Sequence, residues 1–113
     1  MAMQDDRRDC PQPVCPRYQR AAEIVGRRWS AAVIRVALDG PVRFTEIRGA
    51  VPGLSARLLV ERLRELEREG IVERVGEGAG GHHAYRLTQK GRALALVVRE
   101  LQTWADAWER ERA

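Results

Sequence analysis

The stretch LSARLLVERLRELEREGIVERV, Leu54–Val75, decides how this chain is read. Ser55 is a good helix N-cap, because its hydroxyl can accept from an amide of the first turn. Gly70 can end the helix in the left-handed conformation that side chains avoid. At about 100° per residue, Ala56, Leu59, Leu63 and Leu66 fall on one stripe, with Arg57, Glu61, Arg64 and Arg68 on the opposite face. The spacing predicts an amphipathic helix from Ser55 to about Glu69. Five arginines (57, 62, 64, 68, 74) and five glutamates (61, 65, 67, 69, 73) cancel over the stretch, but unevenly. Residues 54–64 carry three arginines against Glu61, whereas residues 65–75 carry two arginines against four glutamates. The helix dipole prefers the reverse order, by about 0.3–1 kcal/mol per exposed group near an end. An arrangement against local stability points to another demand on the first turns. The expectation is that the N-terminal half enters a nucleic-acid groove and the acidic half stays out, limiting loose binding to phosphate.

Upstream, Val51-Pro52-Gly53 makes a turn, preceded by a short helix in RFTEIRGA (43–50) that buries Phe44 and Ile47. Before it, Trp29, Val33, Val36 and Ala37 recur at helical spacing until Asp39-Gly40-Pro41 stops the run. A first helix is expected over roughly 16–25, from Tyr18, Ala21, Ala22 and Val25, with Cys15 as cap and Pro16 at its first position. Residues 1–14 read as a flexible arm and 15–113 as the folded domain. Downstream, IVERV (71–75) and AYRL (84–87) read as strands around the glycine-rich loop GEGAGGHH (76–83). Thr88 then caps a last helix with an apolar seam of Leu94, Val97, Val98, Leu101, Trp104, Ala105 and Trp108. The fold class is mainly α with a small β-hairpin, in the order of a winged helix-turn-helix whose second helix can lie in the major groove.

The chain has 113 residues and a formal net charge of +4, enough for one domain and a mild preference for polyanions. Lys90 is the only lysine, and arginine suits bidentate contacts to guanine or phosphate, although a GC-rich genome would favour arginine equally. Apolar runs fall well short of the roughly 20 residues of a membrane span, so a cytoplasmic protein without a membrane partner is expected. Two cysteines, Cys10 and Cys15, make no disulfide scaffold. No nucleophile stands beside a base and no phosphate loop occurs, which argues against an enzyme. The Cys10/Cys15 spacing and the adjacent His82 and His83 match no standard ligand pattern, so neither metal nor cofactor is expected.

The words GRRW (26–29), DGPVRFTEIRGAVPGLSARLLVERLRELEREGIVER (39–74) and YRLTQKG (85–91) together resemble the HxlR family of bacterial transcriptional regulators. The resemblance runs from Cys15 to about Trp104. It implies a dimeric winged-helix protein that binds double-stranded operator DNA in the cytosol, dimerising through its first and last helices. In several members it also implies a response to electrophiles or oxidants through a cysteine just before the first helix, the position of Cys15. The family's usual GGKW is Gly26-Arg27-Arg28-Trp29 here, which keeps charge and tryptophan. A common wing ending, PPRVEY, is replaced by GGHHAY, placing His82 where arginine is frequent. Cys10 lies in an arm that varies within the family, and the resemblance implies no partnership between it and Cys15.

Candidate residues follow. Ser55, Arg57 and Glu61 occupy the exposed face of the first turns of the reading helix, flanked by Arg62 and Arg64. Arginine can bond the acceptor pair of guanine, and glutamate can accept from the amino group of cytosine. The plainer alternative is a solvated face with Arg57 and Glu61 paired four residues apart. Arg43 and Thr45 are candidates for phosphate contacts, with Arg27 and Arg28 weaker ones; His82 and His83 lie at the wing. From Arg17 to Gly53, seven arginines stand against Glu23, Asp39 and Glu46, a basic excess available to phosphate. Cys15, near the positive end of a helix with Arg17 and Arg20 close by, has a case as a reactive thiol, joining Cys10 or the other subunit on oxidation. Tyr18, Leu94, Val97, Val98, Leu101, Trp104 and Trp108 are the expected dimer residues. The competing reading is a winged-helix protein-interaction module with no DNA role.

Overall fold

The structure, a computed structural model, describes residues 13–76 and 83–109. The chain order is α1 (Pro16–Gly26), α2 (Ser30–Val36) extended by a 3-10 turn at Ala37–Asp39, β1 (Val42–Arg43), α3 (Phe44–Ala50), α4 (Ala56–Arg68), β2 (Val72–Val75), β3 (Ala84–Leu87) and α5 (Gln89–Trp108). The caps act as the sequence suggests. Ser55 Oγ accepts from the Leu58 amide at 3.1 Å, and Thr88 Oγ1 from the Gly91 amide at 3.0 Å. At the end of α4, Gly70 takes φ 75°, its amide donates to Glu67 O at 3.0 Å, and the Ile71 amide donates to Leu66 O at 2.8 Å. This double closure is a Schellman motif, and it sends the chain directly into β2 with Ile71 and Leu66 both buried.

The expected hairpin is part of a three-stranded antiparallel sheet of order β1-β3-β2. β2 and β3 pair Val72 with Leu87 and Val75 with Ala84, while β1 pairs Val42 with Tyr85 and Arg43 with Ala84. Two residues after a proline carry no alternating pattern, so only the distant partner defines β1 as a strand.

Leu59, Leu63 and Leu66 from α4 enter a core with Val33, Ile34, Ile47, Ile71, Val72, Leu87 and Ala95. Ala56 and Phe44 are half-buried at its edge, not inside it. Helix α5 carries two apolar stripes where the sequence suggested one seam. Gly91, Ala95 and Val98 are buried, Val98 to 5% exposure, and Leu94 packs against the same cluster. Val98 therefore belongs to the chain's own core and has little surface to offer a second copy, whereas Leu94 is half-buried beside it. Val97, Leu101, Trp104 and Trp108 remain exposed, as does Tyr18 on α1.

Gly91 is where α5 passes over the backbone of Ile71, just ahead of β2. A Cβ there would overlap the carbonyl oxygen of Ile71, which also accepts from the Thr88 amide at 3.0 Å. Neither partner is a flexible side chain, so the helix would have to move. Gly91→Ala is expected to cost about 2–3 kcal/mol, as overpacking does, and to lower the thermal midpoint by about 10 °C. An unchanged circular-dichroism melt would show that α5 can retreat freely.

Candidate nucleic-acid interface

The first turns of α4 present an uncommitted polar face. The Arg57 side chain is 92% exposed, and its closest approach to Glu61 is 3.9 Å, an ion pair too long to hold the guanidinium. Arg64 and Arg68 are exposed on the same side, and Arg64 acts electrostatically on the Tyr85 phenol of β3. Burial, then Glu67, pushes that phenol above its ordinary pKa, and Arg74 and Arg64 oppose the shift. Arg43 and Thr45 are exposed at the start of α3, where the Arg43 amide donates to Glu46 Oε1 at 2.7 Å. Ser55 spends its acceptor on the cap, and its hydroxyl proton remains available for a phosphate.

The turn between α3 and α4 is held from below by a residue the sequence reading placed inside a helix. Trp29 caps α2 with φ 76°, a conformation costly for an aromatic residue. Its ring lies 3.6 Å from where a Cβ on Gly53 would stand, and the Arg28 guanidinium sits 5.0 Å above its centroid. Gly53 itself has φ 87°, and Arg48 Nε donates to Leu54 O at 3.4 Å across the turn.

Arg62 does not join the reading face. Its side chain is only 12% exposed, Nε donates to Arg28 O at 2.7 Å, and Nη1 pairs with Glu65 at 3.1 Å. The acidic half of α4 is likewise not a vacant, repelling surface. Glu69 pairs with Arg20 at 2.7 Å, Glu65 with Arg27 at 3.1 Å and Glu67 with Arg74 at 3.1 Å. The uneven charge order thus supplies anchor points for neighbouring elements. Arg20, Arg27 and Arg48, counted earlier among cations free for phosphate, are occupied within the chain. Arg62, Glu65 and Glu69 recur at i, i+3, i+7, the spacing of a contact face.

In the wing, Arg86 pairs with Glu73 at 2.7 Å across the strands, and His83 Nδ1 lies 3.2 Å from Gly76 O, closing the loop's base. His82 and Cys10 lie outside the described residues. Cys15 occupies the N-cap of α1 as expected, but its side chain makes no cap hydrogen bond and is disulfide-bonded. Among the described residues, no cluster of three metal-ligating groups occurs.

A family model described as HxlR-like helix-turn-helix matches residues 24–113. The chain belongs to the HxlR family. Among its HxlR relatives, the HTH-type transcriptional regulator YodB of Bacillus subtilis is 45% identical over 94 residues, covering 82% of this chain and 84% of YodB. YvaP of the same organism, an uncharacterized HTH-type transcriptional regulator, is also 45% identical, over 96 residues, with 84% and 89% covered. The solved structure of reduced YodB superposes with TM-score 0.73 at 42% identity, over 88% of this chain and 98% of YodB. YodB has also been solved after diamide treatment and with bound quinone. The oxidised form of the redox regulator HypR superposes with TM-score 0.77 at 30% identity, over 83% and 97% of the two chains. These likenesses establish the winged-helix fold of a transcriptional regulator. The family model begins at residue 24, so Cys15 lies ahead of its match.

Proposed function

We propose that the chain is a homodimeric, sequence-specific DNA-binding regulator that answers oxidants or electrophiles through Cys15. The observation that carries this is the uncommitted Arg57–Glu61 face at the start of α4, opposite three buried leucines, in an HxlR chain. In this reading Arg57 bonds guanine N7 and O6, Glu61 accepts from cytosine N4, and Arg43, Thr45 and Ser55 grip phosphates. Arg64 and His83 are assigned further contacts to the duplex in the same reading. The exposed residues Tyr18, Val97, Leu101, Trp104 and Trp108 form the dimer contact, consistent with a large apolar face that a lone subunit would leave in water. Among the described residues, no helix is long and apolar enough to cross a membrane.

The redox part rests on the disulfide at Cys15 and on the diamide-treated and quinone-bound forms of YodB. Diamide would take two electrons and two protons from Cys15 and a second thiol, either Cys10 or Cys15 of the partner subunit, leaving a disulfide and the hydrazine. The test is a mobility shift on the DNA upstream of the chain's own gene, with random duplex as competitor. Reduced protein is expected to prefer the upstream DNA, with affinity falling steeply as salt rises. Diamide should change that affinity by about tenfold or more in wild type and leave Cys15→Ser unmoved. An unmoved wild type would remove the sensing role, and equal binding to both DNAs would remove the regulator.

A further inference from the structure

The acidic flank of α4 grips α1 and its link to α2 at several points. Arg20 Nη2 reaches both oxygens of Glu69, at 2.7 and 2.9 Å. Glu65 receives Arg27 on one oxygen and Arg62 on the other, each at 3.1 Å, while Arg62 also holds the Arg28 carbonyl at 2.7 Å. The two helices joined in this way are anchored very differently. Helix α4 is seated in the core by Leu59, Leu63 and Leu66, whereas α1 buries no residue, and of its side chains Ile24 alone packs against the core cluster. Breaking the ion pairs would leave α4 in place and release α1. The pairs are partly exposed, so each adds little to stability; what several directional contacts do fix is an angle.

We infer that this clasp, Arg20–Glu69 with Arg27–Glu65–Arg62, holds α1 at a set angle to α4 and so fixes the spacing of the two reading helices in the dimer. The inference rests on the dimer reading above, in which α1 and α5 make the subunit contact. A two-fold dimer reads half-sites at a separation dictated by its own geometry. Each inserted base pair moves a half-site by about 3.4 Å along the duplex and about 35° around it. A stiff α1 refuses that displacement, and a released α1 follows it. Glu65 and Glu69 are thus positioning residues for spacing and do not read bases.

The test uses the full chain and a palindromic duplex recovered by wild-type protein from a random library. Its central spacer is kept, lengthened or shortened by a single base pair. Wild type is expected to lose about tenfold in affinity on either altered spacer. The double variant Glu65→Gln/Glu69→Gln should lose less than about threefold, while a base change inside a half-site still costs both proteins alike. Arg27→Gln, which keeps the Arg62–Glu65 pair, should fall between them. Arg20→Glu alone should relax the penalty, and reversing the pair, Arg20→Glu with Glu69→Arg, should restore it. A double variant as strict as wild type would overturn the inference, as would equal loss of spacing and base discrimination. Wild-type indifference to spacing would instead refute the dimer reading, and this role with it.

Discussion

Arg57→Ala should abolish most of the preference for operator over random DNA while leaving the subunit folded and dimeric. The side chain is 92% exposed and its closest ion-pair contact is a 3.9 Å approach to Glu61, so its removal deletes no structural bond. A bidentate arginine–guanine pair discriminates by about 1–3 kcal/mol, and the two copies in a dimer bring this to about 2–6 kcal/mol. Operator affinity is therefore expected to fall by about 30-fold or more. Binding to random duplex, which depends on phosphate contacts such as those assigned to Arg43, should fall by no more than a few-fold. Fluorescence anisotropy against both duplexes at one salt concentration separates the two quantities. Equal losses on both would reassign Arg57 to the phosphate backbone.

The second large effect lies at the other end of the molecule. Trp104 is 56% exposed in the single subunit and shares its face of α5 with Val97, Leu101 and Trp108, none of them buried. Tryptophans at the centre of an interface commonly contribute 2 kcal/mol or more, and a two-fold contact counts each twice, so Trp104→Ala should weaken dimerisation by roughly 1,000-fold. Because Trp104 lies outside the core cluster, the variant subunit should stay folded, its midpoint lowered only by the dimer linkage it loses. Sedimentation equilibrium would then find monomers at concentrations where wild type is dimeric, and operator binding would fall with them. A variant that stays dimeric would show that the subunits meet elsewhere.

Helices were legible where their signals are local. Ser55, Thr88, Gly70 and Pro16 each act within one turn, and the leucine stripe of α4 needs only its own period. What escaped the sequence depends on distant partners or on long side chains. β1 exists because Val42 meets Tyr85, and two residues cannot announce that. Arg62 sits on the edge of an amphipathic helix, where period gives an angle but not the direction a long guanidinium takes; the Arg28 carbonyl decides it. The seam on α5 spanned two stripes, and only the packed core shows that Gly91, set against Ile71 and Leu87, and Val98 turn inward while Val97 turns outward. The left-handed Trp29, whose ring lies beneath the α3–α4 turn, is foretold by no local preference of tryptophan. Of the site, Arg43, Thr45, Arg57 and Glu61 stand exposed where their spacing put them.

Arg43 belongs to two structures at once. It is the last residue of β1, paired with Ala84 at the mouth of the wing, and its amide starts α3 through Glu46. Sheet and helix-turn-helix therefore share a peptide, and the wing cannot rock toward a minor groove without carrying the cation assigned to the backbone. In the proposed complex the base of the sheet and the start of α3 would meet the duplex together, coupled through Arg43. The accommodation then falls to the DNA, whose stiffness between the wing and helix footprints enters the choice of operator at base pairs that no side chain touches.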